Sequence, residues 1–351
     1  MKYSLRQIVY GIILLVCFYS CGLIHKPRTG PHAIIVLAMD TTGFYKQNNN
    51  GAVMNLQLLG KKDSAVVMKR LTKIGIDESQ ADVSVKDNRI TVKLWGIIEP
   101  GFDMVNIRNL LQSEGDLSFW ETFNASEMAD RLVLANKTIA GLMPKDSGNG
   151  NSIHNTLVNA DPLFKVLRVR INDETGRIIT YSKGAELGDA LAEDTAKVDE
   201  YLRMPEVRVI FPQDSKFLWE RPRDKNEPFY QLVAVRLPLG TRQAPLSGDI
   251  ITDARLEYYD GGGSHPQISL TMNPVAAHVW ANLTSNNVGR CIAIEFNGII
   301  YSAPIVESQI SGGRSSITGN FDPIEARQLV AILSAGYMPV PLKIVEEKRE
   351  E

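Results

Sequence analysis

Five histidines are the first residues to test for chemistry: His25, His32, His154, His265 and His278. No two stand at the short spacing that places a pair of imidazoles on one metal ion. Asp249 and Asp253 bracket Ile250 to Thr252 and would share one face of a strand. Paired carboxylates can do acid–base work, but nothing near them in the sequence would raise a pKa, so the pair reads as structural. Gly261, Gly262 and Gly263 run into Ser264, His265 and Pro266, which makes a turn without the lysine a phosphate loop requires. No catalytic constellation emerges, no cofactor or metal is implied, and the chain is expected not to be an enzyme. One segment does have the chemistry of a binding loop. Ser311 to Asn320 (SGGRSSITGN) is dense in glycine and hydroxyls with a single arginine. Its backbone N–H groups could hold an anion or a peptide carboxylate. Gly312, Gly313, Arg314 and Asn320 are its candidate partner-binding residues, although the same string also suits a tight connection into a following helix.

A second chemistry lies at the N-terminus. Lys2 and Arg6 precede an apolar run from Ile8 to Tyr19, closed by Ser20 and Cys21, the pattern of an export signal. A small residue before a cysteine suggests lipidation of Cys21, although the bulky Phe18 and Tyr19 run against it. The alternative is an uncleaved anchor over Ile8 to Ile24, near the lower limit for spanning a bilayer. Lys2 and Arg6 on one side face Lys26 and Arg28 on the other, so charge does not set an orientation. Both readings tether the body to a membrane; a fully released protein is the third, and all three place the body outside the cytoplasm. Of the three cysteines only Cys291 lies in the globular part, so no disulfide framework is expected and Cys291 reads as a buried strand residue.

Such groups need a scaffold, and 351 residues, 44% apolar and 22% charged, suit an ordinary globular protein of about two packed units. With 38 Lys and Arg against 40 Asp and Glu, the net charge is -2; that excludes a dedicated nucleic-acid binder, which needs excess cations to replace phosphate counterions. Ala33 to Met39 and Val53 to Leu59 have strand patterns, and Asp63 and Ser64 are placed to cap a helix with Val67, Leu71 and Ile74 inward. A hairpin follows around Asp87 and Asn88, then a helix over Phe102 to Ser113 and a strand over Leu117 to Glu121; this alternation predicts a split βαβ, ferredoxin-like layer. Lys145 to Asn155 is a polar loop. Asp194 to Met204 reads as a helix and Tyr230 to Leu237 as a strand. In the last third, strands over Ile250 to Tyr259 and Gln267 to Met272 lead to a helix capped by Asn273, with Val275, Val279 and Leu283 inward. Asn297 and Gly298 form the strongest turn signal in the chain, joining Cys291–Phe296 to Ile299–Ser302. Asp322 and Pro323 open a last helix, Glu325 sits at its capping-box position, and Gly336 ends it.

Several uncommon strings in this last third resemble the SecD/SecDF protein-export family. They are Ala244-Pro-Leu-Ser-Gly-Asp-Ile-Ile-Thr-Asp-Ala-Arg255, Asn287-Val-Gly-Arg290, Tyr301-Ser-Ala-Pro304, Gly312-Gly-Arg-Ser-Ser-Ile-Thr-Gly-Asn-Phe321 and Pro341-Leu-Lys-Ile-Val-Glu-Glu347. Arg89 to Glu121, with Leu117-Ser-Phe-Trp-Glu121, resembles the base of the same region, the first periplasmic domain. Met39-Asp40-Thr41-Thr42-Gly43 half fits a further family string. The resemblance implies an α+β fold with a ferredoxin-like base and an inserted α+β head. The expected divisions are a signal or anchor at 1–24, a base at 33–122, a linking region completing it at 123–237, a semi-independent head at 248–337, and a return strand and tail at 338–351. It also implies an accessory role in Sec-dependent translocation on the periplasmic side of a bacterial envelope, contacting exported polypeptide or membrane subunits of the translocase. SecD proteins continue from the Ile-Val-Glu-Glu string into further membrane helices, whereas this sequence stops at Glu351; no proton-coupled motor is expected of it. An envelope lipoprotein that uses the fold for scaffolding is the competing reading.

Overall fold

A computed structural model describes residues 33–41, 56–95, 104–143, 161–170, 172, 175, 177–179, 184–223, 228–258, 266–338 and 340–349. The first sheet grows from strict alternation. β1 (Ala33–Met39) buries Ala33, Ile35 and Leu37, as a half-buried strand with period two must. α1 (Leu56–Lys73) follows, then the hairpin of β2 (Ala81–Lys86) and β3 (Arg89–Leu94). Asp87 and Asn88 take φ of 51° and 59° at its turn, the left-handed pair that a two-residue hairpin needs. α2 (Met104–Gln112) comes next, and β14 (Leu342–Arg349) returns from the far end of the chain to pair with β1. The strand order is β14-β1-β3-β2, antiparallel throughout. This is the βαββαβ order of a ferredoxin-like layer, with residues 113–341 inserted before its last strand.

The insert holds two more sheets. A seven-stranded sheet runs β5 (Glu186–Leu191), β7 (Phe229–Arg236), β6 (Ser215–Glu220), β12 (Ile299–Ser302), β11 (Ile292–Phe296), β4 (Leu117–Glu121) and β8 (Leu246–Ser247). One face packs under α3 (Ala125–Leu142), α4 (Pro162–Val166), α5 (Ala192–Arg203) and α6 (Pro205–Arg208), around Met128, Leu132, Val198, Leu202 and Leu232. The other face carries Trp120, Val233, Val235, Ala293 and Ile300. A three-stranded sheet, β13 (Arg314–Ile317), β10 (Pro266–Met272) and β9 (Ile251–Tyr258), packs with α7 (Pro274–Asn286) and α8 (Pro323–Ala335).

Sheet membership cuts across the expected divisions. β4 lies in the range assigned to the base, yet it pairs residue by residue with β11 of the head, from Ile292↔Glu121 to Phe296↔Leu117. Its Phe119 ring lies 4.8 Å from Trp280 on α7. One hydrophobic cluster runs from Ile35, Ile90 and Leu110 through Phe119 and Ile294 to Leu270, Trp280, Leu329 and Leu333. Each such side chain contributes about 1.5–3 kcal/mol when buried, so this cluster packs residues of the expected base against residues of the expected head.

Two helices also differ from their sequence patterns. α1 begins at Leu56, not at Asp63, because Leu56, Leu59 and Gly60 extend the stripe of Asp63, Val67, Arg70 and Leu71 back by two turns. Residues 53–55 of the expected strand, and the expected loops at 145–155 and 261–263, lie outside the described residues. In α7 the inward residues are Ala276, Trp280, Leu283 and Thr284, while Val275 is 77% exposed. The indole of Trp280 sets the facing rotation because it buries more area than any valine can.

Candidate functional site

Of the four candidate loop residues, only Gly313 is packed tightly; Gly312, Arg314 and Asn320 are exposed. Gly312 and Gly313 turn the chain into β13, whose residues pair with β10 from Arg314↔Thr271 to Ile317↔Ile268. Gly313 has φ of 62°, and a Cβ there would fall 2.5 Å from the Cβ of Ala277 on α7. Arg314 is exposed at one end of β13. Asn320 lies beyond the other end, where its carbonyl accepts from Arg221 at 3.4 Å. The structure therefore does not bring Arg314 and Asn320 together. Gly313→Ala is expected to lower stability by about 2–3 kcal/mol, from contact and positive φ combined. Gly312→Ala, with nothing within 4 Å of its Cβ, should change it by less than about 0.5 kcal/mol. Urea unfolding of both variants checks the pair.

Arg221, just past β6, pins this loop. Its guanidinium binds both carboxylate oxygens of Glu325, Nη2 to Oε2 at 3.2 Å. It also lies 4.8 Å from the ring centroid of Tyr301 and 5.2 Å from that of Phe321, geometry suited to cation–π attraction. Glu325 thus spends its carboxylate on Arg221, while Asp322 caps α8 by accepting from the Ile324 N–H at 2.8 Å.

Asn297 and Gly298 take φ of 50° and 89° between β11 and β12. Asn297 does more than turn. Its Oδ1 accepts from the N–H groups of Gly115 and Asp116, both at 3.1 Å, and its Nδ2 donates to Ser113 Oγ at 2.7 Å. The hairpin is thereby stapled to the loop that leaves α2.

The same loop receives the largest fully buried side chain of the fold, Arg70. Nη1 donates to the carbonyls of Leu110 (2.9 Å) and Ser113, and Nη2 to those of Glu114 (3.3 Å) and Gly336 (3.4 Å). Leu110 is in the last turn of α2, and Gly336 is the residue on which α8 ends. One cation therefore serves the partly negative C-terminal ends of a base helix and a head helix. Two turns earlier on α1, Asp63 is fully buried and neither carboxylate oxygen has a hydrogen-bond partner. Burial raises its pKa to about 7, against the opposing pull of Arg70 and Lys62. Burial also lowers Arg70 to about 9, opposed by Asp63. Glu114 is pushed up by burial and the charge of Asp116, and Asp116 by burial. The Tyr337 hydroxyl is raised by burial and by Asp116, Glu114 and Asp63. This buried polar joint was missed from sequence, although a charged pair seven residues apart inside an apolar stripe is its visible signal.

Cys21 and four of the histidines lie outside the described residues. His278 is exposed on α7 beside Asn282. Asp253 accepts from Arg255 at 2.6 Å. Cys291 is buried, and burial raises its thiol pKa, which disfavours the reactive thiolate. Among the described residues, no group of three His, Cys, Asp or Glu could hold a metal ion, and no helix is long and apolar enough to cross a membrane.

With strands, core and joint in place, the class of the chain follows from its sequence. Residues 234–340 match the family model "SecDF, P1 head subdomain". Over that stretch, which holds β8 to β13 and both of its helices, the chain is similar to the P1 head of SecDF. Protein translocase subunit SecD of Rhodothermus marinus is 38% identical over 170 residues, 47% of this chain and 26% of that protein. SecD of Syntrophobacter fumaroxidans is 38% identical over 103 residues, 29% of this chain and 19% of that protein. SecDF of Thermus thermophilus is 37% identical over 101 residues, 29% of this chain and 14% of that protein. The matched part thus spans about a quarter or less of these relatives. A solved SecDF in its super-membrane-facing form aligns with TM-score 0.48 and 20% identity over 97% of this chain and 34% of its own. A second SecDF structure, of a component described as enhancing protein export, aligns with TM-score 0.46 and 21% identity over 89% and 98%.

Proposed function

We propose that this chain is an extracytoplasmic accessory module of Sec-dependent protein translocation that contacts exported polypeptide or membrane subunits of the translocase. The observation that carries the reading is the P1 head match over residues 234–340, flanked by relatives named as translocase subunits. The module acts by binding. It has no proton-coupled motor of its own and no catalytic step, and it is tethered to the membrane through a lipidated Cys21 or an uncleaved N-terminal helix. A body built on one continuous core suits this role, because force or contact at the head is passed through Arg70 and Asn297 to the base without a loose joint. Crosslinking in intact envelopes tests the proposal. Translocase subunits or exported precursors should be captured on the chain, whereas capture of unrelated envelope components alone would favour scaffolding.

A further inference from the structure

One groove belongs neither to the candidate loop nor to the buried joint. It lies between α5, the turn after α6, the start of β6 and the loop that follows β7, and it encloses about 990 Å³ open to solvent. Leu202, Phe217 and Leu237 line it, and Leu239, at the tip of the loop, is 100% exposed. A leucine held wholly in water forgoes its burial energy unless something covers it.

The charges lining the groove are unequal. Its two acids are already engaged: Asp199 accepts from Arg203 at 2.7 Å and from the Trp219 indole at 3.1 Å, and Asp214 accepts from Arg236 at 3.1 Å. The remaining cations make no ion pair among the described residues, although Lys216 lies near enough to Asp116 to favour its charged form. Arg208 donates to the main-chain carbonyls of Phe211, Pro212, Gln213 and Ser215. Lys216 sits 4.6 Å over the ring of Trp120. Arg242 is exposed and makes no hydrogen bond or ion pair with the described residues. Three positive charges without a bonded carboxylate thus stand beside an apolar floor and an uncovered leucine. Such a surface complements a ligand that is both anionic and apolar.

We propose that this groove docks an extended polypeptide segment that carries acidic and apolar side chains, an inference that rests on the polypeptide-contacting function proposed above. The volume is at the upper end of the range for compact ligands, about 300–1,000 Å³, and an open trough of that size suits a passing chain. Arg208, held by main-chain carbonyls, is a fixed charge, and Arg242 and Leu239 stand exposed on the loop beside it.

The test uses the full chain in nanodiscs of neutral lipid and fluorescence anisotropy with short unstructured synthetic peptides. One peptide is acidic and apolar, one basic and apolar with the same apolar residues, and one acidic without apolar residues. Leu239→Asp and Arg242→Glu replace exposed side chains and should leave the thermal midpoint unchanged, which is measured alongside. The acidic apolar peptide should bind tightest, and each substitution should weaken it about tenfold, equivalent to about 1.4 kcal/mol. Raising the salt concentration should weaken it further. Equal affinity for the acidic and basic apolar peptides, or unchanged affinity in both variants, would overturn the proposal. So would loss in the variants of binding to phosphatidylglycerol vesicles with peptide binding intact, which would make the groove a membrane-facing surface. Groove-dependent peptide binding with no precursor or translocase capture in envelopes would uphold the groove and reject the Sec role. Envelope capture with no groove-dependent binding would reject the groove alone.

Discussion

Arg70→Met should lower the unfolding free energy by about 3–5 kcal/mol and should loosen the base and the head together. The substitution keeps length and apolar volume but removes every donor from a site where burial is complete. Four carbonyls, those of Leu110, Ser113, Glu114 and Gly336, lose a charged donor, and a buried acceptor left without a partner costs about 1–3 kcal/mol. The ends of α2 and α8 lose the cation that offsets their dipoles. Asp63 loses the positive charge that moderates its burial. Because the carbonyls belong to both base and head, the damage cannot stay on one side. Hydrogen exchange should accelerate in β1 and β3 and in β9 and β10 alike, and urea unfolding should remain a single transition at a lower midpoint. Acceleration confined to β9 and β10 would mean that the head is separable after all.

The second large effect is a dependence on pH. Asp63 has a folded-state pKa near 7 against its ordinary value of 3.8, so the folded protein holds this proton more tightly than the unfolded chain does. The contribution to stability is therefore greatest below about pH 4, falls as pH rises toward 7, and is flat above. Asp63→Asn removes the ionisation while preserving shape. The variant should be more stable than wild type at pH 8, by on the order of 2 kcal/mol, and should lose the part of the slope between about pH 4 and 7 that comes from this residue. At pH 4 the two proteins should be nearly equal. Glu114 and Asp116, also raised, contribute a slope of the same sign to both proteins, so the difference between them isolates Asp63. Denaturant melts across that range measure it. A variant less stable than wild type at pH 8 would show that the carboxylate is paired when ionised.

Much of this fold was legible from short-range signals. Asn297-Gly298 and Asp87-Asn88 fix their hairpins because few residues tolerate positive φ, and both pairs take it. Asp322-Pro323 and Gly336 bound α8 for equally local reasons. What escaped depends on partners distant in sequence. Asp63 and Ser64 look like caps, and only the packing of α1 shows Asp63 to be interior. α7 turned on Trp280 where valine spacing pointed elsewhere, since Phe119, far away in the chain, supplies the ring it meets. β4 joins β11, a pairing no local pattern specifies. The glycines of the 311–320 segment suggested an anion cradle, and no local signal showed that Gly313 also lets the chain pass Ala277. The groove was invisible for the same reason: Leu202, Phe217 and Leu239 sit in three separate elements.

A chain that touches polypeptide in transit can be caught doing so. A Sec-dependent precursor is arrested part-way through export in cells that carry a photocrosslinking residue at position 239 of this chain, and adducts are compared with those of a protein exported folded, without Sec. An adduct should form between the chain and the arrested precursor and disappear when the arrest is released, and none should form with the folded cargo. Absence of the precursor adduct while the chain still crosslinks to other envelope components, or equal adducts with both cargoes, would contradict such contact.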